Sequence, residues 1–149
     1  MRKLSQNGLN LLKGFEGLSL TAYRCDAGVW TIGYGCTSTM DGYEVKKGDK
    51  LASRRVAEVL LQKKLESFEK AVNQYVNVPL NQNQYDALCL LCFNIGVRAF
   101  RHSTLVSLLN RKEYAQARLQ FYRWKFVNGE INEGLRLRRI KEADLFIKP

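Results

Sequence analysis

The chain has 149 residues, 46% of them hydrophobic, and carries 24 Lys and Arg against 14 Asp and Glu, a formal net charge of +10. This length suits one domain, or one domain with two lobes, and the apolar content excludes a disordered chain. No apolar run approaches the roughly 18 residues that a membrane span needs, and the positive balance favours a polyanionic partner (nucleic acid, anionic lipid or an acidic cell wall) without choosing among them.

In chain order, Met1-Arg2-Lys3-Leu4-Ser5 turns polar at once, so no secretory hydrophobic region is expected. Leu9, Leu12 and Phe15 recur at helical spacing behind Ser5, a suitable N-cap, and Gly17 can end that helix just after Glu16. Asp26-Ala27-Gly28 reads as a turn. Residues 29–36 alternate as a strand, with Trp30, Ile32 and Tyr34 on one face and Thr31 on the other. Glycines and polar residues over 37–50 predict short strands and loops. From Ser53 onward, Leu61, Leu65, Phe68, Val72 and Tyr75 step by fours and threes along a long helix that stops before Pro79. Asn81 with Gln84 has the form of a capping box for a helix carrying Leu88, Leu91, Cys92 and Ile95 and closed by Gly96. Ser103 caps a further helix through Leu109, and helical segments are expected over about 113–124 and 135–146. No repeat, low-complexity tract or Pro/Gly linker divides the chain.

The four cysteines lack a metal-site pattern. Cys89-Leu90-Leu91-Cys92 is a single C-x-x-C in an apolar helical stretch, and His102 is the only histidine. Cys89 and Cys92 therefore read as small core residues. The chemistry-bearing residues lie near the N-terminus. Eight residues separate Glu16 from Cys25 and five separate Cys25 from Thr31. A carboxyl group in the last turn of a helix meets the negative end of the macrodipole, and Phe15 and Leu18 beside it exclude water; both favour the neutral acid that a proton donor must be. A thiol before a turn and a hydroxyl on a strand could hold a water on the other side of a bond. An acid on one side and a positioned water on the other is the chemistry of glycoside hydrolysis. Each residue also has an ordinary structural use: Glu16 as an exposed helix carboxylate, Cys25 as a buried thiol, Thr31 as a β-branched strand residue.

The spacing of Glu16, Cys25 and Thr31 resembles the phage-lysozyme family of glycoside hydrolases, the lambdoid endolysins in particular. So do Val78-Pro79-Leu80-Asn81-Gln82-Asn83-Gln84-Tyr85-Asp86-Ala87-Leu88, Phe93-Asn94-Ile95-Gly96, Ser103-Thr104-Leu105, and Gly134-Leu135 followed by Arg138-Arg139. The resemblance covers nearly the whole chain. It implies an α+β, mostly helical, lysozyme-like fold for residues 1–149. A small N-terminal α/β lobe (about 1–52) would be joined by a long helix (about 53–75) to a helical lobe (76–149).

It implies further that the protein is an endolysin cutting the β-1,4 bond between N-acetylmuramic acid and N-acetylglucosamine in bacterial peptidoglycan, so causing host cell lysis. Glu16 would be the acid, with Thr31 and Cys25 holding the water. Phe93, Asn94, Thr104 and Arg138 would contact substrate, Arg138 matching an arginine that faces the acid in relatives. No metal or organic cofactor, no specific nucleic acid and no membrane span is implied, and a monomer is expected. The protein would be made in the host cytoplasm and reach the wall through a pore. Two positions depart from the family. Cys25 stands where most relatives have Asp, with Asp26 next to it as a one-residue alternative; Arg24 or an arginine of the helical lobe could favour its thiolate. Cys36 stands where relatives often have His, and a Cys25–Cys36 bridge would remove the reactive thiol. The competing readings are a lytic transglycosylase on the same fold and a catalytically silent module binding wall or nucleic acid.

Overall fold

Seven α-helices and two short antiparallel hairpins make up the computed structural model, which describes residues 1–149. In order these are α1 (Gln6–Glu16), β1 (Ser19–Arg24), β2 (Trp30–Gly33), α2 (Arg54–Tyr75), α3 (Gln82–Ile95), α4 (Val97–Arg101), α5 (Thr104–Asn110), α6 (Tyr114–Leu119), a 3-10 turn (Gln120–Arg123), β3 (Phe126–Val127), β4 (Glu130–Ile131) and α7 (Glu133–Phe146). This is the mostly helical α+β arrangement expected. No helix is long and apolar enough to cross a membrane. The chain forms two compact units, one of residues Asn10–Glu66 and one of Met1–Leu9 with Ser67–Pro149. The division falls inside α1 and inside α2.

In the smaller unit, β1 and β2 pair with Tyr23 opposite Thr31 and Arg24 opposite Trp30. The turn between them is closed by the Cys25 N–H on the Val29 carbonyl (3.0 Å) and the Gly28 N–H on the Cys25 carbonyl (2.8 Å). The second strand is shorter than its alternation suggests. It stops at Gly33, because Tyr34-Gly35 turns the chain back and Cys36 exchanges backbone bonds with Ile32 at 2.8 and 2.9 Å. Leu12, Ile32, Tyr34, Val45, Ala57, Leu60, Leu61 and Leu65 are buried and form this unit's apolar interior. Ser53 caps α2, its hydroxyl accepting from the Val56 N–H at 3.3 Å.

The larger unit is built on α3, whose residues Tyr85 to Cys92 are all buried. Asn81 and Gln84 form the expected reciprocal capping box. Phe121 and Phe146 pack with ring centroids 5.6 Å apart. Among the buried residues of α3 is a charged one. Asp86 has no solvent exposure and accepts from the Ser5 N–H (3.0 Å), the Ser5 hydroxyl and the Gln82 amide (2.8 Å). Ser5 in turn accepts from the Gly8 N–H at 3.0 Å, which makes it the N-cap of α1. Residues 2–4 are tied down nearby. The Arg2 guanidinium donates to the Leu80 carbonyl, the Tyr85 hydroxyl and Asn73 amide donate to the Arg2 carbonyl, and the Leu4 N–H donates to Glu69.

The region expected as one helix over 113–124 is instead α6 and a 3-10 turn. A hairpin of β3 and β4 follows, turning at Asn128 and Gly129, both with positive φ (52° and 82°). Asn-Gly is the residue pair that a two-residue hairpin turn with two positive φ values requires.

Replacing Asp86 with Ala leaves the Ser5 N–H, the Ser5 hydroxyl and the Gln82 amide without their acceptor. The expected loss is about 2–3 kcal/mol of unfolding free energy, the scale of hydrogen bonds to a charged group, read as a lower urea midpoint. Ser5→Ala should cost less, about 1 kcal/mol, the scale of a lost N-cap.

Candidate active site

Glu16 is the last residue of α1 and is half-buried. Its carboxyl group lies directly on the backbone of Gly35, in the turn after β2. A Cβ built on Gly35 would overlap the Glu16 Oε1 and come within 2.6 Å of its carboxyl carbon. Gly35 also has φ of 73°, a conformation that side chains rarely adopt. The residue is therefore held to glycine twice over, by its backbone and by the acid lying on it.

Thr31 and Cys25 belong to the same compact unit as Glu16. Thr31 is buried, and its hydroxyl donates to the Val29 carbonyl at 2.9 Å. The same carbonyl accepts the Cys25 N–H. With its proton committed, the Thr31 oxygen keeps lone pairs that can accept from a water. Cys25 is half-buried, and Asp26 lies beyond it in the exposed turn. Arg24, expected as a helper of the thiol, lies over the Trp30 ring at 5.7 Å. The cross-strand pairing of Arg24 with Trp30 accounts for this placement.

Tyr23 joins these groups and was not singled out from the sequence. It is opposite Thr31 in the hairpin, and two residues before Cys25, so the three share one face. Burial raises the phenol above its ordinary pKa, and the negative charges of Glu16, Cys25 and Cys36 raise it further. The available signal was the period of two along residues 23–25 and 29–31.

The remaining predicted residues all belong to the larger unit. The Phe93 ring packs against Phe68 with centroids 5.1 Å apart. Asn94 is exposed and accepts from the Arg139 guanidinium at 2.5 Å. Thr104 opens α5, exposed, its hydroxyl accepting from Arg123 at 3.5 Å. Arg138 is buried, paired with Glu142 at 3.1 Å and donating to the Leu90 carbonyl at 3.0 Å. Arg139, wholly buried, pairs with the other oxygen of Glu142 at 3.1 Å. Two arginines thus share one buried carboxylate, and the second reaches Asn94, a partnership that the sequence did not reveal.

The family model for phage lysozymes matches residues 13–142. The chain belongs to the phage lysozyme family. It is 44% identical over 147 residues to the endolysin of Salmonella phage P22, covering 99% of both chains. Among solved structures it is similar to an endolysin from the Escherichia coli O157:H7 phage FAHEc1, with a TM-score of 0.87 and 38% identity over 99% of this chain and 94% of that one. The muramidase domain of SpmX from Asticaccaulis excentricus gives a TM-score of 0.86 and 35% identity, covering all of both chains.

Within this lysozyme fold the cysteines divide into two kinds. All four are free thiols. Cys36 is buried beside the Tyr34 carbonyl, and burial pushes its thiol up to about 11, with Lys64 opposing and Glu16 adding to the rise. Burial likewise pushes Cys92 up to about 12 and Cys89 well above the ordinary range. Only Cys25 is half-exposed. At pH 7.5 the folded protein should therefore react quickly with a thiol reagent at one site, Cys25 by peptide mapping, and at four sites in denaturant. A buried neutral thiol holds its proton more tightly in the folded chain than in the unfolded one. Its stabilising contribution is present below the unfolded pKa near 9 and is lost as pH rises through about 11 for Cys36. The urea midpoint should accordingly fall between pH 9 and 11, and fall less in Cys36→Ala.

Proposed function

We propose that the protein is an endolysin that hydrolyses the β-1,4 bond between N-acetylmuramic acid and N-acetylglucosamine in bacterial peptidoglycan, lysing the host cell. The observation that supports this reading is the spacing of Glu16, Cys25 and Thr31, which is that of the family motif, with all three in one compact unit. Glu16 donates its proton to the departing sugar oxygen. Thr31 and Cys25 hold the attacking water, the Thr31 oxygen accepting one of its hydrogens. Attack by water on the face opposite the leaving oxygen inverts the anomeric centre. Phe93, Asn94, Thr104 and Arg138 carry the proposed sugar contacts, Arg138 and Arg139 doing so through the Glu142 network and Asn94. The substrate is an anionic polymer, in keeping with the net charge of +10. The protein acts as a monomer, is made in the cytoplasm and reaches the wall through a membrane pore.

Mass analysis of purified peptidoglycan after digestion tests the bond. Products ending in reducing N-acetylmuramic acid are expected; anhydro ends would make the protein a transglycosylase, and no cleavage would make it a binding module. Glu16→Gln should fold normally and lose several orders of magnitude in activity. Cys25→Asp should keep substantial activity, because a carboxylate occupies this place in most relatives, and Cys25→Ser should lose most of it. Full activity in Cys25→Ser with a dead Asp26→Asn would move the role to Asp26.

Charge gives a separate expectation. Salt screens exposed charges over about 8 Å at physiological ionic strength. Cleavage of whole walls should slow as salt rises, whereas cleavage of a short neutral chitin-like oligosaccharide should change little. Equal sensitivity on both substrates would place the salt effect in the site or the fold.

A further inference from the structure

The larger unit contains a cavity of about 230 Å³, lined by Tyr122, Lys125, Arg136, Arg139 and Ile140. Arg136, Arg139 and Ile140 are spaced by three and four along α7, so one face of that helix supplies them. Tyr122 comes from the 3-10 turn and Lys125 from the residue before β3. The second hairpin fixes Lys125 in place. Phe126 pairs with Ile131, and the Asn132 N–H donates to the Lys125 carbonyl at 2.8 Å. Asn132 is also the N-cap of α7, its side chain accepting from the Leu135 N–H at 2.9 Å. One residue thus ties the lysine to the start of the helix that carries both arginines.

Three of the five lining residues are cations. Glu142 lies 3.1 Å from the wholly buried Arg139. Glu133 holds Arg136 at Nε (2.8 Å) and Nη2 (2.6 Å). Lys125 makes no ion pair, and its ammonium lies 5.8 Å from the centre of the Phe126 ring. A guanidinium carries its donors in a rigid fork. Glu133 takes one edge of Arg136 and leaves Nη1 for a second acceptor, with the plane of the group already fixed. The Tyr122 hydroxyl adds a neutral donor, and its ring with Ile140 adds apolar wall. A phosphate presents oxygen on every side, whereas a carboxylate presents oxygen at one end and carbon at the other. Cations beside apolar wall suit the second. The volume is below the roughly 300–1,000 Å³ of sites that enclose a whole small molecule, so it admits an acid group on a short stem rather than a sugar ring.

We propose that this cavity binds a carboxylate group, received by Arg136 and Lys125 with the Tyr122 hydroxyl, its carbon stem against Ile140. Carboxylates stand on the short peptides that branch from wall glycan, and on free organic acids. The first source rests on the peptidoglycan reading above; the carboxylate site itself does not.

Propionate and propionamide have nearly the same shape and differ in charge. Each is titrated into the isotope-labelled protein at constant ionic strength and followed by NMR. Propionate should shift the backbone amides of residues 122–126 and 133–140 along a saturating curve, and propionamide should not. Lys125→Gln removes the charge and should weaken propionate at least about tenfold, the scale of one hydrogen bond to a charged group, with the rest of the amide spectrum unchanged. Arg136→Gln should do the same, and it decides the matter if Lys125→Gln misfolds. The proposal is overturned if propionate gives no saturating shifts at these residues, if propionamide matches it, if the folded variants bind propionate like the wild type, or if inorganic phosphate binds more tightly. A muramyl peptide and its amidated form separate the two sources. Competition with propionate that is lost on amidation assigns the site to the wall peptide; propionate binding without such competition assigns it to a free acid. If the protein binds propionate here but leaves peptidoglycan uncut, the peptidoglycan reading falls and the carboxylate site stands.

Discussion

A carboxylate with no access to solvent fixes where the first helix begins. Asp86 receives the N–H and hydroxyl of Ser5, and Ser5 caps the helix that ends in Glu16. A buried charge is tolerable only when its lone pairs are filled, so the bonds to Ser5 and Gln82 are what allow Asp86 to be there. Helix α1 is eleven residues long. Once its first turn is set, the geometry of a three-turn helix determines the direction in which its final side chain leaves.

At the other end of α1 the constraint is one of space. Glu16 fits because Gly35 has no side chain and because the chain turns back immediately after β2. That turn brings Cys36 into register with Ile32 and sends its thiol into the interior, where its neutral form is favoured. Cys25 faces the opposite circumstances, half-exposed at the mouth of a hairpin turn. Two cysteines eleven positions apart in the sequence therefore differ in exposure because of backbone direction. The buried Glu142, shared by Arg138 and Arg139, does for the larger unit what Asp86 does for α1. It satisfies two buried cations and lets the second of them hold the Asn94 carbonyl oxygen.

Local signals in the sequence were readable where local physics decides the structure. The Asn81–Gln84 capping box, the caps Ser5 and Ser103, and the long apolar stripe of α2 all follow from spacings of three and four residues. The Glu16, Cys25 and Thr31 positions were legible through the family motif, and the turn residues of the hairpin that carries Cys25 and Thr31 were recognised. Other features depend on partners that spacing cannot name. The role of Arg24 turned on its pairing with Trp30, and Tyr23 went unnoticed because its opposition to Thr31 is a matter of register. The short strands β3 and β4 are too brief for alternation to appear, although Asn128-Gly129 marked their turn. Asp86 lies inside an otherwise apolar helical run, and its partner Ser5 is 81 positions away.

That separation has a consequence for the order in which the molecule is completed on the ribosome. Residues 1–9 belong to the unit formed by residues 67–149, so these nine residues have no finished surface to join until α3 has emerged. The Asp86 cap, the Tyr85 bond to Arg2 and the Leu80 bond to Arg2 all wait for it. Closing a loop of this length costs chain entropy before any contact rewards it. A nascent chain that stops short of α3 lacks the Asp86 partner of Ser5, the residue that caps α1.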